Sequence, residues 1–159
     1  MKQEIENFYL ENRDKLVKIY TRRCHSVDVA EDVVQEAFAL ALQYQETFNP
    51  HYRGFKQWFD QILLNAFRKR MRDDRMMGMS DELDEEIIEQ EDMPLFSMQM
   101  AEQIRKDIDS KPAQTAEVLN LYFVKGYKWK DIAAVTDYSF KGIDKIIERF
   151  KTEMRLKYA

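Results

Sequence analysis

The chain has 159 residues, with 25 basic against 29 acidic side chains and a net charge of −4. Four glycines and three prolines leave little turn material, which favours long helices over a turn-rich β fold. One cysteine, Cys24, excludes an internal disulfide framework, and two histidines are too few for a ligand cluster, so neither metal nor cofactor is expected.

Residues 4–23 open the chain with Ile5, Phe8, Tyr9, Leu16, Ile19 and Tyr20 at helical spacing, closed by Arg22 and Arg23 at the favourable cationic end. The start MKQEIENFY lacks the apolar core of a signal peptide, and no apolar run is as long as a membrane span. A reducing, cytoplasmic location is the expectation. Cys24 beside His25 reads as a free thiol at a helix end.

Residues 26–44 form a second helix, capped by Ser26 or Asp28 with Glu31 placed for a capping box. Its apolar stripe is Ala30, Val33, Val34, Ala37, Phe38, Ala41 and Leu42. The opposite face carries Asp28, Glu31, Asp32, Gln35 and Glu36. That face is either a solvated exterior or a docking surface for a basic partner. The loop 46–55 follows, with Pro50, Gly54 and the rings of Phe48, His51 and Tyr52 beside Arg53. Such rings either fold back onto the core or stack on an unpaired base.

The third helix, residues 55–75, reads FKQWFDQILLNAFRKRMRDDR. Phe55, Phe59, Ile62, Leu63 and Ala66 fall on a core-facing arc. Trp58, Gln61, Asn65, Arg68, Lys69 and Arg72 fall on a separate arc, which is either exposed throughout or gives up Trp58 to the core. Cations suit phosphates, amides suit base edges, and an exposed ring suits an unstacked base.

Charge marks the organisation. Residues 1–75 carry 13 basic and 12 acidic groups, residues 76–94 no basic and 8 acidic, and residues 95–159 12 basic and 9 acidic. Local patches, not the total, decide phosphate binding. The acidic run reads as a flexible, self-repelling linker. The expected architecture is therefore all-α: two small helical domains, 1–75 and 95–159, joined by an acidic linker at 76–94.

In the second domain Phe96, Met100, Ala101, Ile104 and Ile108 mark a helix stopped by Ser110 and Pro112. Ala116, Leu119, Tyr122 and Phe123 mark another, ended at Gly126. WKDIAAV at 129–135, the turn TDYS and a final helix with Ile143, Ile146, Ile147, Phe150 and Met154 inward make a helix-turn-helix, with Ser139 as N-cap. Its leading residues Phe140, Lys141, Asp144, Lys145 and Glu148, with Arg149 beyond, would meet a major groove.

Three stretches together resemble the bacterial RNA polymerase sigma factors of the extracytoplasmic-function class. DVAEDVVQEAF resembles the segment docking on the clamp coiled coil of the largest polymerase subunit, and FKQWFDQILLNAFRKRMRD resembles the helix that recognises and melts the minus-ten element. YFVKGYKWKDIAAVTDYSFKGIDKIIERFKTEM resembles the helix-turn-helix that reads the minus-thirty-five element and contacts the polymerase flap. The resemblance implies polymerase docking by Asp28, Asp32, Gln35, Glu36 and Phe38. It implies base capture by Asn49, His51, Tyr52 and Arg53. It implies contacts to promoter DNA, including the single-stranded nontemplate strand, by Arg53, Lys56, Trp58, Gln61, Asn65, Arg68, Lys69, Arg70 and Arg72. In the second domain it implies DNA contacts by Phe140, Lys141, Lys145 and Arg149.

Two departures stand out: Asp137 where the family usually has glycine, and Asp144 and Ile146 where it often has cations. They predict weak minus-thirty-five reading and dependence on a recruiting partner; the resemblance also implies an anti-sigma protein as a candidate partner. The competing readings are a sigma-like polymerase-binding regulator without promoter opening, and a helix-turn-helix repressor. An enzyme is not expected: no nucleophile–base set and no phosphate-cradling glycine loop is visible.

Overall fold

The computed structural model describes residues 1–76 and 98–158. Among these it contains helices and turns only, falling in two compact units, Met1–Met79 and Ser80–Ala159. The fold is all-α. Most of the predicted linker, and Phe96 of the predicted fourth helix, lie outside the described residues.

The first unit packs three helices: α1 (Lys2–Cys24), α2 (Val27–Gln43) and α3 (Phe55–Arg75). His25 ends α1 in the left-handed region at φ 57°, its backbone N–H donating to the Thr21 carbonyl. Ser26 then caps α2, its hydroxyl accepting from the Val29 N–H at 3.2 Å. Because Ser26 rather than Asp28 is the cap, the third helical position falls on Val29. The capping box expected of Glu31 is not formed.

The core of this unit is built from rings. Phe38 lies 4.6 Å from Tyr9, 6.0 Å from Phe8 and 4.5 Å from Phe59 between centroids. Phe8 also meets Phe55 and Phe59, at 5.3 and 5.0 Å. Offset and edge-on pairs of this kind add about 0.5–1.5 kcal/mol beyond area burial. Val17 joins the buried set, whereas Ile19, placed inward by its spacing, remains partly exposed on α1.

The second unit comprises α4 (Met98–Asp109), α5 (Ala113–Leu119), a π-helical turn (Asn120–Val124), α6 (Trp129–Val135) and α7 (Phe140–Tyr158). The segment expected as one helix up to Phe123 changes winding at Asn120. Gly126 stops it at φ 75°, a conformation that suits glycine, and the Tyr127 N–H closes back on the Leu121 carbonyl at 2.9 Å. The core here is mainly aliphatic: Ile104, Ile108, Val118, Leu119, Ile132, Val135, Ile143 and Ile147 are buried, together with the rings of Tyr122 and Phe150. Ile146 and Met154, expected inward, are only half-buried, and Met100 is exposed.

Two features fix the turn between α6 and α7. Thr136 ends α6, its hydroxyl donating to the Ile132 carbonyl at 2.7 Å. Ser139 starts α7, its hydroxyl accepting from the Gly142 N–H at 3.2 Å, as its N-cap position predicts. His25 is the sole non-glycine residue with positive φ among the described residues, so Asp137 occupies backbone space open to any residue. The turn does not require a glycine there.

Candidate nucleic-acid and polymerase interface

The floor of the site is α3, and its inner face decides what its outer face can present. Trp58 is 0% exposed. Its indole N–H donates to the Thr47 hydroxyl at 3.1 Å, and that hydroxyl donates to the Tyr44 carbonyl at 2.7 Å. Phe48 and Phe55 close over the ring at 5.6 and 5.8 Å. The expected exposed ring is therefore corrected: Trp58 is a core residue that ties the short 3₁₀ turn Gln45–Thr47 to α3. The sequence held the signal. At 100° per residue Trp58 sits about 40° from Ile62, at the border of the apolar arc and not across from it.

Phe38 needs the same correction. It is 5% exposed and faces α1 and α3, so its ring is not available to a docking partner. The remaining docking candidates on α2, Asp28, Asp32, Gln35 and Glu36, are all exposed, and Glu31 lies beside them.

The loop before α3 divides along the alternative left open by its sequence. Phe48 folds onto the core, 6.1 Å from Phe55 and 5.6 Å from Trp58. The next residues stay at the surface. The Asn49 side-chain oxygen accepts from the His51 N–H at 3.0 Å, and its carbonyl accepts from the Tyr52 N–H at 3.1 Å, a turn held by its own asparagine. His51 is exposed, Tyr52 and Arg53 are half-buried, and the His51 and Tyr52 rings meet edge-on at 4.9 Å. Gly54 then starts α3, its N–H donating to the Gln57 side chain at 3.3 Å.

Along the outer face of α3, Arg68, Lys69 and Arg72 are exposed, while Gln61 and Asn65 are half-buried; Lys56 is exposed on the first turn. The Gln61 amide donates to the Asn65 side-chain oxygen at 3.0 Å, so the two amides engage each other one helical turn apart. A shallow groove lined by Phe67, Arg68, Met71, Asp74 and Arg75 runs along the end of the helix. Phe67 also meets Tyr20 of α1 at 5.3 Å, and burial pushes the Tyr20 hydroxyl pKa up.

Arg70 stands apart from this stripe. It lies about 160° around the helix from Arg68 and only about 20° from the buried Phe59, so it faces α2. Its Nε donates to both Asp74 oxygens at 3.1 and 3.2 Å, and its Nη1 reaches Asp32 at 3.4 Å. Its hydrogen bonds to Asp74 and then to Asp32 hold its guanidinium more firmly protonated than usual. A residue assigned to DNA thus touches one assigned to polymerase docking.

In the second unit the outer face of α7 carries Lys141, Lys145, Glu148 and Arg149, all exposed, with Phe140 and Asp144 half-buried at its start. Its far end is anchored to α4. Asp107 accepts from Lys157 and from the Tyr158 hydroxyl, both at 2.5 Å, and Lys111 donates to Glu153 at 2.7 and 2.5 Å. Burial alone would raise the Asp107 pKa. The hydrogen bonds from Lys157 and Tyr158, with the charges of Lys157 and Lys111, outweigh it and hold the carboxyl below its ordinary value. No sequence pattern announced this anchor, because its partners are 50 residues apart.

No cluster of three or more potential metal ligands occurs among the described residues, and no described helix is long and apolar enough to cross a membrane. Residues 8–76, spanning the three-helix unit and the stripe on α3, match the family model of sigma-70 region 2. The first unit is a sigma-70 region 2. It is also similar to the RNA polymerase sigma factor YlaC of Bacillus subtilis (strain 168), with 21% identity over 97% of this chain and 91% of that protein. That similarity runs through both units, and the family match covers the unit that carries α2, the loop and α3.

Proposed function

We propose that this sigma factor is the promoter-specificity subunit of a cytoplasmic RNA polymerase, acting in transcription initiation without covalent chemistry of its own. The acidic face of α2, with Asp28, Asp32, Gln35 and Glu36, docks on the clamp coiled coil of the core enzyme. Arg68, Lys69 and Arg72 hold nontemplate-strand phosphates, with Lys56 and Arg53 extending the path. The turn Asn49–Arg53 receives an unstacked base against His51 and Tyr52. Stacking of this kind contributes about 1–3 kcal/mol per base, enough for a few captured bases to offset local unpairing.

One observation carries the reading: the cationic end of α3 is exposed on a helix whose other face is locked into a ring-filled core, within the segment matching sigma-70 region 2. Buried Trp58 supports the surface from beneath and takes no part in base contact. On α7, Lys141, Lys145 and Arg149 approach the upstream element, and the flap is met by the same unit. Asp144 at the leading end opposes phosphate and reduces the counterion-release gain that drives such binding. That acid favours weak upstream reading supplemented by a recruiting protein.

The test is an Arg68→Ala, Arg72→Ala double variant, assayed for run-off transcription and for core binding. Transcription collapses while polymerase binding survives. Retention of full transcription in the double variant would reject α3 as the DNA-gripping helix and favour the regulator without promoter opening.

A further inference from the structure

We propose that Arg70 is not a DNA ligand but an internal competitor at the docking face, which occupies Asp32 and so sets the affinity for core polymerase. This rests on the docking role given above to the acidic face of α2. Arg70 comes off the inner side of α3, away from the Arg68–Arg72 stripe, and its guanidinium is divided between two carboxylates. Asp74, one turn further along the same helix, takes Nε through both oxygens and fixes the group's orientation. Asp32, on the neighbouring helix, takes Nη1 through a single longer contact of 3.4 Å. Asp74 is the holder and Asp32 the occupied site.

The geometry also shows which chemistry Asp32 accepts. A guanidinium already sits there, and a basic side chain of the docking partner is the same kind of ligand. The Asp32 carboxylate remains 62% exposed, so an incoming cation can reach it. It must then displace Nη1, while Asp74 retains the Arg70 side chain. Exposed ion pairs are weak, so the displacement costs little and the competition tunes docking without blocking it. Pairs of this class correspond to about 1.4- to 5-fold in an equilibrium constant.

The two readings of Arg70 predict opposite signs. As a DNA ligand, its loss would weaken DNA binding and leave the core enzyme alone. As a competitor, its loss tightens docking. The experiment measures binding of the full chain to purified core RNA polymerase, with fluorescence-labelled sigma factor and no DNA. Arg70→Ala and the longer Arg70→Gln are compared with Arg75→Ala, which removes an equal charge from exposed α3 surface without touching Asp32. Both Arg70 variants bind core about two- to fivefold more tightly than Arg75→Ala does, and this excess disappears in an Asp32→Asn background. Unchanged or weaker binding, or an excess that persists without the Asp32 charge, overturns the proposal.

Failure of the docking reading itself has a separate signature. An Asp28→Asn, Glu36→Gln variant that binds core as well as the unaltered chain would remove the acidic face from the interface altogether. If that variant weakens docking and Arg70→Ala does not strengthen it, only the competitor role is lost.

Discussion

The two units solve one problem, holding a charged helix at the surface, by different means. In the first, α3 is held by rings: Trp58 and Phe59 are fully buried, and Phe8, Phe38 and Phe55 pack around them. In the second, α7 rests on an aliphatic layer of Ile132, Val135, Ile143 and Ile147, and its end is tied down by charge, through Asp107, Lys157 and Tyr158. Ring packing answers to volume and hardly to pH or to the screening of charge by salt. A charged anchor answers to both. The first unit should therefore fail by truncation of a side chain, the second by protonation.

The largest expected effect tests the first half of that contrast. Trp58→Ala removes a fully buried ring and leaves Thr47 without its indole donor, so a loss of about 3–5 kcal/mol is expected, read by urea denaturation. Transcription is lost with the fold, not through a missing DNA contact. Trp58→Phe keeps most of the volume and should retain promoter opening. Loss of opening in a stably folded Trp58→Phe would show that the indole has a task beyond packing.

A smaller effect is expected at α7. Asp144→Lys replaces an acid at the leading end of the helix with a cation, adding one phosphate contact. Binding to duplex containing the upstream element should strengthen, and its salt slope should steepen by about one. Footprinting by the polymerase holoenzyme without any recruiting protein reads the same change. A strong upstream footprint by the unaltered chain would remove the argument for recruitment.

The smallest effect concerns the charged anchor. Asp107 has a folded pKa below its unfolded one, so the unfolded chain takes up the proton more readily. Its stabilising contribution is complete above the ordinary carboxylate range, near pH 5, and is lost as pH falls through the depressed folded value. Thermal unfolding followed from about pH 6 down to pH 3 should therefore show an acid-induced loss that is smaller in Asp107→Asn than in the unaltered chain. At pH 7 the variant should already unfold at a lower temperature. Equal acid sensitivity would mean that the anchor is ornamental and that the aliphatic layer alone holds α7.

Much of this was legible in the sequence because helix periodicity reports burial directly. The stripes of α2 and α3, the stop at Gly126 and the cap at Ser139 all follow from spacing and local backbone chemistry. What escaped did so for identifiable reasons. A helical arc has soft borders, and Trp58 lies on one; its large ring and a hydroxyl acceptor 11 residues earlier draw it inward. Phe38 was given both to the apolar stripe and to the docking face, and a ring of that size cannot serve both. Arg70 sits among cations in the sequence but not on their face. The Asp107 anchor is a non-local contact, which no window along the chain can register. The resemblance to sigma factors implies which surfaces matter, whereas the fold shows which side chains stand on them.

The seating of Trp58 has a practical corollary. The chain holds two tryptophans, one in each unit, so its intrinsic fluorescence carries two separable signals. An indole sealed among hydrocarbon rings emits to the blue of one in water, and Trp129 is only half-buried. Replacing either by phenylalanine would leave a single tryptophan, through whose selectively excited emission unfolding of each half, or its engagement by polymerase, could be followed without attaching a dye.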